Sequence, residues 1–345
     1  MSSSTSKKAN VLLFGGGAVG AIAAMNIESG GLGQVTAVLR SNYQVVKNQG
    51  YTIESVDHGS LKGWRPTRVV NSVPDVAKES LRPFDYIITT TKNCPDIPPT
   101  VAELIAPAAT PGHTVIVMIQ NGLNIEKAIF EKLPSNIVLS GVSMIDSYEG
   151  KPGHIVQESR DRVYLGAFRN PNIPSHETEI KAAHDFIRIY EASGKPDVTF
   201  SDNAPWSRWR KLVYNAVLNP LAAISGLDTS RLRLSGSVIE QLARPAMKEV
   251  VATAAALGHT LPEDIIDAMV DLDPIELYLK PSMLNDSEKG NFMEVEYLVG
   301  EPVREAARVG VPTPHLKAIY EMAKLLQWRT KETKGLVTVP PKRGE

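Results

Sequence analysis

Short apolar runs separated by helical stretches fill the first half of the chain. The runs are rich in Val and Ile and stop at polar residues or glycine, at positions 11–14, 35–39, 86–90, 114–119 and 137–144. Such alternation predicts βαβ units around a parallel sheet. Runs at 153–158 and 162–167 lie on either side of a charged turn, which predicts an antiparallel extension of that sheet. A helix is predicted over residues 177–192 and a last strand over residues 198–201.

From residue 206 onward, apolar positions recur with helical spacing and β-branched runs become rare. Helices are predicted over residues 206–225, 237–257, 263–271, 291–308 and 314–328. Gly258 and Gly310 are predicted to end two of them. The pattern therefore predicts two domains, at residues 8–202 and 203–334, with tails at residues 1–7 and 335–345.

A glycine-rich turn follows the first predicted strand. Gly15, Gly17 and Gly20 have the spacing G-x-G-x-x-G, and a helix is predicted from Ala18. In dinucleotide-binding folds this spacing permits a tight turn, close approach of a pyrophosphate and close packing of helix on strand. A merely flexible turn is the alternative. The pattern predicts an α/β Rossmann-type dinucleotide-binding domain followed by an all-α helical domain. The predicted cofactor-binding residues of the turn are Gly15, Gly16, Gly17, Ala18, Val19 and Gly20.

The end of the second predicted strand carries Arg40, twenty residues after Gly20. Folds that prefer NAD(H) hold the ribose 2′-hydroxyl with an acidic residue near this position. A guanidinium can pair with a 2′-phosphate instead, in bidentate geometry. Arg40 therefore favours NADP(H) over NAD(H), with a solvated arginine at a strand end as the alternative.

Polar residues also follow two later strands. Lys92 comes after the run at 86–90, and Asn121 comes after the run at 114–119. Ligands of open α/β sheets bind outside the carboxyl ends of the strands, so both side chains are predicted to face the cofactor crevice. Taken singly, each residue also suits a solvated loop.

A polar stripe interrupts the apolar segment at 206–225. Lys211, Asn215 and Asn219 recur every four residues, which places them on one face of the predicted helix. Burying an ammonium and two amides among apolar neighbours is costly unless they pair with something, and a ligand would serve. An ordinary amphipathic helix with its polar face in water is the alternative.

Carboxylates follow a Ser-Met-Leu-Asn-Asp segment that begins at Ser282. Glu294 and Glu296 lie in the next predicted helix, and one of them could meet Lys211 across a cleft. Spacing alone leaves open which one. For either residue, a solvated helix face is the alternative.

Composition narrows the class of protein. The 345 residues carry 37 Lys and Arg against 38 Asp and Glu, a formal charge of −1, so no global basic field exists to hold nucleic acid. Cys94 is the single cysteine, which excludes an intrachain disulfide and a cysteine-based zinc site and favours a reducing compartment. The seven histidines show no metal-binding motif, and no apolar run is long enough to span a membrane. We therefore expect no metal, no membrane partner and a cytoplasmic location.

With these residues in view, the chain resembles the ketopantoate reductase (2-dehydropantoate 2-reductase) family over residues 11–324. The glycine-rich turn is the less specific part of the match. The helix with Lys211, Asn215 and Asn219-Pro220, together with Ser282 and Glu294 twelve residues later, is more specific. The other matching pieces are Arg40, Thr91-Lys92, Asn121-Gly122, Trp209-Arg210, Leu221 and the segment 310–314.

The resemblance implies a Rossmann domain and a helical domain similar to the C-terminal domain of 6-phosphogluconate dehydrogenase. It implies NADPH-dependent reduction of a 2-oxo acid to a 2-hydroxy acid, with 2-dehydropantoate and pantothenate biosynthesis as the first expectation. The implied partner is the small-molecule substrate, and a homodimer is left open. Nothing in the resemblance calls for a metal.

The resemblance also implies roles for individual residues. Lys211 is the expected general acid, and Glu294 is expected to orient Lys211 and the cofactor end. The expected substrate-binding residues are Asn121, Asn215, Asn219 and Ser282. The expected cofactor contacts beyond the turn are Arg40 with the 2′-phosphate, together with Lys92, Asn121 and Glu294.

Two positions depart from the family pattern. Pro281 stands where members often carry a second serine, and Glu296 stands where an aspartate is common. Both lie beside the expected substrate pocket, so they bear on the identity of the substrate rather than on the reaction type. A relative that reduces another 2-oxo acid or an imine is one alternative, and a non-catalytic NADPH-binding sensor is another.

Overall fold

The computed structural model describes residues 7–340 and residue 343, and it divides into two compact units. The first unit extends to Thr91 and resumes at Pro99–Gln120 and Ile125–Ala204. The second unit contains Lys92–Pro98, Asn121–Asn124 and the chain from Pro205 onward. Most of the predicted N-terminal tail and the last residues of the predicted C-terminal tail lie outside the described residues.

The first unit is an α/β structure around an eight-stranded sheet. Its strands are β1 (Ala9–Phe14), β2 (Gly33–Val38), β3 (Tyr51–Ser55), β4 (Gly59–Trp64), β5 (Arg68–Val70), β6 (Tyr86–Thr89), β7 (Val115–Met118), β8 (Val138–Ser143), β9 (Ser147–Lys151), β10 (His154–Gln157), β11 (Arg162–Phe168) and β12 (Asp197–Phe200). The eight-stranded sheet has the order β12-β11-β8-β7-β6-β1-β2-β5. Strands β5, β2, β1, β6, β7 and β8 pair in parallel, and the strand order reverses at β1, where doubly wound sheets bind their ligands.

Helices cover this sheet, which confirms the predicted α/β fold of the first half. They are α1 (Ala18–Ser29), α2 (Tyr43–Gln49), α3 (Val101–Ile105), α4 (Lys127–Lys132) and α5 (His176–Tyr190). Strands β1, β6 and β7 are buried, which is why they read as continuous apolar runs rather than alternating ones. Ile22, Met25 and Ile27 of α1 and Phe186 of α5 belong to the same core.

One predicted strand lies in a different sheet. β11 pairs antiparallel with β8 as an extension of the main sheet, but β10 belongs to a second sheet of order β4-β3-β10-β9. We call this the small sheet. The prediction that the runs at 153–158 and 162–167 both extend the main sheet is therefore wrong for the first. Strand β4 escapes prediction because most of its residues are exposed and few are apolar, so it lacks the buried run typical of the main sheet.

The second unit is helical, as predicted. Its helices are α6 (Ala204–Asn215), α7 (Leu218–Ser225), α8 (Thr229–Leu234), α9 (Arg244–Ala256), α10 (Ile265–Val270), α11 (Ser282–Glu288), α12 (Glu301–Val309) and α13 (Pro314–Thr333). Turns of π-helix at Ile239–Ala243 and Glu296–Gly300 lead into α9 and α12. The core contains Trp209 of α6, which is 2% exposed, with apolar residues of α7, α9 and α13.

The predicted helix at 206–225 is interrupted between Asn215 and Leu218. Pro220 has no N–H to donate to the carbonyl four residues earlier, and its ring clashes with that carbonyl, which belongs to Ala216. A new helix therefore begins at Leu218. Asn219 lies on α7 rather than on the helix that carries Lys211 and Asn215, so the prediction of one continuous stripe is wrong.

A buried polar network ties the small sheet to the main one. Asp161 Oδ2 accepts hydrogen bonds from Asn26 of α1 at 2.8 Å and from the Tyr190 hydroxyl of α5 at 2.7 Å. His58, in the turn between β3 and β4, lies 2.7 Å from Asn26 Oδ1 through its Nε2. Burial raises the pKa of Asp161 from 3.8 to about 6, and the two hydrogen bonds offset only part of that rise.

We expect Asp161→Asn to remove a pH dependence of folding stability between about pH 4 and about pH 6. The carboxyl has a higher pKa in the folded protein than in the unfolded chain, so its contribution is fully present at low pH and is lost as the pH rises through the folded value. The loss in the parent should total about 3 kcal/mol. Denaturant unfolding across this window checks it, with Asp185→Asn on the surface of α5 as control. Parallel pH curves for the parent and Asp161→Asn would contradict the expectation.

Candidate active site

The glycine-rich turn between β1 and α1 is held in a shape that only glycine permits. Gly15 has φ +117°, and the Thr90 hydroxyl donates to its carbonyl at 2.8 Å. A Cβ on Gly20 would lie 1.9 Å from that same carbonyl oxygen. The first and third glycines of the motif are therefore required by close approach of backbone to backbone.

Two side chains outside the motif brace the turn. The Tyr51 hydroxyl of β3 and the Asn42 amide donate to the Gly16 carbonyl at 2.8 and 2.7 Å. Asn42 also donates to Glu149 of β9 at 2.9 Å. The small sheet thus fixes the turn from the side, a role that sequence analysis missed because nothing local to Tyr51 or Glu149 signals it.

Gly17 differs from its neighbours because it faces open space. It is exposed, has φ −71°, and a Cβ built on it would meet no atom within 4 Å. No described side chain caps the N-terminus of α1, and its first turn holds no acidic residue. Free N–H groups and open space at a helix N-terminus suit an anion such as a phosphate. The turn therefore fits the pyrophosphate of a dinucleotide.

Arg40 lies two residues beyond the end of β2 and is exposed. Because β2 pairs in parallel with β1, Arg40 and the glycine-rich turn leave the sheet from neighbouring strands at the same edge. No hydrogen bond or ion pair joins the guanidinium to another residue in the described part of the chain. This position suits contact with the ribose end of a dinucleotide.

A chain of polar contacts in the second unit begins at Lys211. Its Nζ donates to Asn121 Oδ1 at 2.8 Å, and the Asn121 amide donates to the carboxylate of Glu294. Of the two carboxylates that spacing left open, Glu294 is thus the one linked to Lys211, through Asn121. Glu296 accepts hydrogen bonds from Tyr320 and Arg304 instead.

Lys92 joins the same cluster from the other side. Its Nζ lies 2.6 Å from Asp286 Oδ2 and 3.7 Å from Glu294 Oε2. The backbone N–H of Asn93 donates to Glu294 Oε1 at 3.0 Å. Glu294 is 4% exposed, so its charge is balanced by protein groups rather than by water.

Burial sets the protonation behaviour of the cluster. It lowers the pKa of Lys211 from 10.5 to about 8, an effect that the charges of Arg208 and Lys92 reinforce and Glu294 opposes. Burial raises the pKa of Glu294, and Lys92 and the Asn93 N–H lower it in part. For Lys92, burial acts to lower the pKa, but the carboxylates of Glu294 and Asp286 outweigh it and hold the pKa above its ordinary value. The pKa of Lys211 therefore places that ammonium to exchange a proton near neutral pH.

Successive residues of the segment Asn121–Asn124 form hydrogen bonds with the rest of the second unit. Arg208 donates to the Gly122 carbonyl at 2.9 Å, and the Leu123 N–H donates to the Tyr297 carbonyl at 2.9 Å. The Asn124 amide donates to Glu301 and Glu305 of α12, at 2.7 and 2.9 Å. The side chain of Asn121 is held in place by these contacts.

Glu294 is held through the residue before it. Gln327 of α13, which is 3% exposed, accepts from the Met293 N–H at 3.0 Å and donates to the Met293 carbonyl at 3.1 Å. The Cys94 thiol also donates to that carbonyl, at 3.3 Å, and burial raises the pKa of the thiol. Cys94 is therefore a structural thiol rather than a nucleophile.

The remaining predicted residues lie nearby in the fold without joining this chain of contacts. Asn215 ends α6 and is buried. Asn219 is 2% exposed, and its Oδ1 has no hydrogen-bond partner in the described part of the molecule. Ser282 is exposed at the first position of α11, a helix that packs on α7. A buried acceptor without a donor is costly and rare, which makes Asn219 a candidate for binding a ligand hydroxyl.

Two broader findings bear on the class of site. Within residues 7–340, no group of His, Cys, Asp and Glu side chains is arranged to hold a metal ion. None of the helices in the same range is long and apolar enough to cross a membrane.

Two family models match the chain. The model described as ketopantoate reductase PanE/ApbA matches residues 11–170, and the model of its C-terminal part matches residues 203–327. An uncharacterised protein of Saccharomyces cerevisiae is 38% identical over 346 residues, covering 95% of this chain and 96% of that protein. The 2-dehydropantoate 2-reductase of a Nostoc species is 26% identical over 329 residues, covering 95% and 97%.

Two solved structures have folds similar to that of this chain. The crystal structure of 2-dehydropantoate 2-reductase from Methylococcus capsulatus superposes with a TM-score of 0.76 at 33% identity, covering 93% of this chain and 97% of that one. The structure of D-mandelate dehydrogenase with NADH and anilino(oxo)acetate gives a TM-score of 0.77 at 20% identity, covering 93% and 99%, a likeness of fold alone.

Proposed function

The chain belongs to the ketopantoate reductase family, and on that premise we propose that it reduces a 2-oxo acid to a 2-hydroxy acid with NADPH, with 2-dehydropantoate as the first substrate to test. The observation that carries the proposal is Lys211, a half-buried ammonium whose pKa lies at about 8 and whose Nζ is held on Asn121. A role in pantothenate biosynthesis, a cytoplasmic location and a homodimeric state are parts of the same proposal.

Lys211 has the properties that ketone reduction requires of a proton donor. Reduction of the carbonyl carbon leaves negative charge on the oxygen, which a nearby ammonium can stabilise and then protonate. A donor works best when its pKa is close to the working pH. Asn121 accepts a hydrogen bond from the Lys211 ammonium, which fixes the position of Nζ from which a substrate oxygen would be protonated.

NADPH, when bound, supplies the hydride for the carbonyl carbon. The residues that would hold it are those of the turn from Gly15 to Gly20, with Arg40 at the 2′-phosphate. Lys92, Asn121 and Glu294 are proposed to contact its reactive end. The open space at Gly17 and the uncapped N-terminus of α1 support this assignment.

The amides on α6 and α7 are proposed to bind the substrate. Asn219 Oδ1 is a buried acceptor that a substrate hydroxyl would satisfy. Asn215, Ser282 and Asn121 complete the proposed set, since neutral amides and hydroxyls can both donate and accept. Glu294 is proposed to orient Lys211 through its hydrogen bond with Asn121.

A relative with another substrate is the second candidate. Members of the family often carry a serine at the position of Pro281. Proline has no hydroxyl, so the proposed pocket would recognise its substrate with one hydroxyl fewer. D-mandelate dehydrogenase shares this fold in a structure with anilino(oxo)acetate and NADH. Both that compound and NADH therefore belong in the tests below, together with imines.

We expect the purified protein to oxidise NADPH when one member of a panel of 2-oxo acids is added, and Lys211→Ala to lower kcat by about 10² to 10⁴. The parent kcat should fall as pH rises above about 8, because Lys211 then loses the proton it donates. Loss of NADPH absorbance measures both. NADPH affinity should be unchanged in the variant. A kcat within threefold of the parent, with chemistry limiting turnover, would reject Lys211 as the acid.

Gly17→Val is expected to abolish NADPH binding in a folded protein. The open space around Gly17 admits the side chain without a clash, but a pyrophosphate could no longer approach the backbone. Calorimetric titration measures the affinity, and thermal unfolding verifies the fold. Gly150→Val on β9 is the control, since a Cβ there would make only ordinary contacts at 3.7 and 3.9 Å, and it should bind NADPH like the parent. Parent-like affinity in Gly17→Val would show that the turn does not bind phosphate.

Arg40→Ala is expected to weaken NADPH binding while leaving NADH binding unchanged, because only NADPH carries a 2′-phosphate. The expected loss is about 1.5 to 3 kcal/mol, the range for a hydrogen bond to a charged group. Titration with both cofactors measures it, and Lys62→Ala on exposed β4 controls for general loss of positive charge. Equal affinities of the parent for NADPH and NADH would remove the basis of this expectation.

A further inference from the structure

Asn42 is a buried amide whose side chain does not cap the helix that follows it. It is 4% exposed and stands directly before α2, where an asparagine side chain ordinarily accepts a backbone N–H of the first helical turn. No such bond is made here. The amide donates instead to the Gly16 carbonyl at 2.7 Å and to Glu149 Oε1 at 2.9 Å. The side chain thus contacts distant residues rather than its own helix.

The contact with Gly16 sets the direction of a peptide group in the glycine-rich turn. The Gly16 carbonyl and the Gly17 N–H belong to one planar trans peptide unit, so they point in opposite directions. The Asn42 amide and the Tyr51 hydroxyl both donate to that carbonyl. By holding the carbonyl, they also fix the direction of an N–H at the N-terminus of α1, where a phosphate is proposed to bind.

Asn42 also belongs to the segment that carries Arg40, which precedes it by two residues. Leu39, the residue before Arg40, packs so closely on Gly16 that a Cβ built there would lie 1.9 Å from the leucine Cδ2. The Asn42 amide contacts the carbonyl of the same glycine from the other end of the segment. Arg40 therefore lies between two residues that both contact Gly16.

We propose that Asn42 is a positioning residue for the cofactor, which holds Arg40 and the Gly16–Gly17 peptide at a fixed spacing so that the 2′-phosphate and the pyrophosphate of NADPH bind as a unit. This inference rests on the proposed function, because it assumes that the first unit binds NADPH. Both phosphate groups belong to one ligand, so a preset spacing lowers the cost of binding them together. NADH lacks the 2′-phosphate and depends on the turn alone.

An amide suits this role because its NH2 group carries two donors. One donor contacts Gly16, and the other contacts Glu149 of the small sheet. Glu149 Oε1 is itself held by the Gly153 N–H, which donates to it at 2.8 Å. The Asn42 amide is thereby fixed from two sides, and the segment that carries Arg40 is fixed with it.

Two substitutions on neighbouring turns of the chain test the proposal. Asn42→Ser removes the amide but keeps a residue that suits the start of a helix. Its single hydroxyl donor, on a shorter side chain, cannot hold both acceptors. Asn48→Ala removes an exposed amide from α2 itself and is the matched control. Each substitution is also made in an Arg40→Ala background.

Calorimetric titration of the whole protein with NADPH and with NADH measures the result, and thermal unfolding verifies the fold. In Asn42→Ser we expect NADPH affinity to fall about tenfold and NADH affinity about threefold, because only NADPH spans both sites. In the Arg40→Ala background, Asn42→Ser should lower NADPH affinity by only about threefold, since residues that act as a unit are not additive. Asn48→Ala should match its parent in both backgrounds.

Each other outcome overturns the inference. Parent-like NADPH affinity in folded Asn42→Ser would remove the role of Asn42. Equal losses for NADPH and NADH would assign Asn42 to the turn alone, and an equal loss with and without Arg40 would show that the two residues do not act together. A comparable loss in Asn48→Ala would make the effect non-specific.

Glu149→Ala provides a second measurement, because it removes the acceptor that fixes the Asn42 amide from the small sheet. A larger loss of affinity for NADPH than for NADH supports the inference, and equal losses or none contradict it. This variant decides alone if Asn42→Ser does not fold.

The titrations also distinguish this inference from the proposed function. If the parent binds neither NADPH nor NADH, both fail. If the parent binds NADPH and Asn42→Ser binds it equally well, the inference about Asn42 fails and the proposed function stands.

Discussion

The hydrogen bond between the Lys211 ammonium and the Asn121 side chain joins parts of the chain that are ninety residues apart in sequence. An amide is suited to this position because it accepts at one end and donates at the other. Asn121 can therefore hold a cation through its oxygen and a carboxylate through its nitrogen at the same time. The contacts of Arg208, Tyr297 and α12 with the segment around Asn121 all act to keep that amide in place.

Burial gives this arrangement its chemical character. An exposed lysine would keep its proton far above neutral pH, and an exposed glutamate would be fully ionised. Removing both from water brings the pKa of Lys211 down and that of Glu294 up. The ion pair between Lys92 and Asp286 then keeps the buried charges nearly balanced, which limits the cost to stability. The same desolvation that the fold must offset is thus what makes Lys211 suited to proton transfer.

The sequence predicts the parts of this molecule that depend on short-range spacing. The glycine-rich turn was found because the three glycines of its motif lie within six residues and directly follow the apolar run of β1. The break in the helix at Ala216 was missed because apolar residues continue through it at helical spacing. The break is caused by the backbone N–H that Pro220 lacks, and the spacing of apolar residues carries no information about that group. The choice between Glu294 and Glu296 could not be made, since both lie on the same stretch and only the fold brings Asn121 to one of them. Tyr51 and Gln327 were missed because their roles consist wholly of contacts with distant backbone.

The two short segments that belong to the helical unit have a consequence for how this protein can be divided. Lys92–Pro98 and Asn121–Asn124 are encoded within the first half of the chain, yet they lie with the helices that begin after Ala204. A fragment cut at residue 203 would keep Lys211 and Glu294 but lose both Lys92 and Asn121, and so would leave a buried ammonium and a buried carboxylate without the groups that hold them. The domain boundary predicted at residue 203 therefore separates residues that belong to one site. Exchange of one half between relatives would preserve this chemistry only if the two segments and the helices were exchanged together.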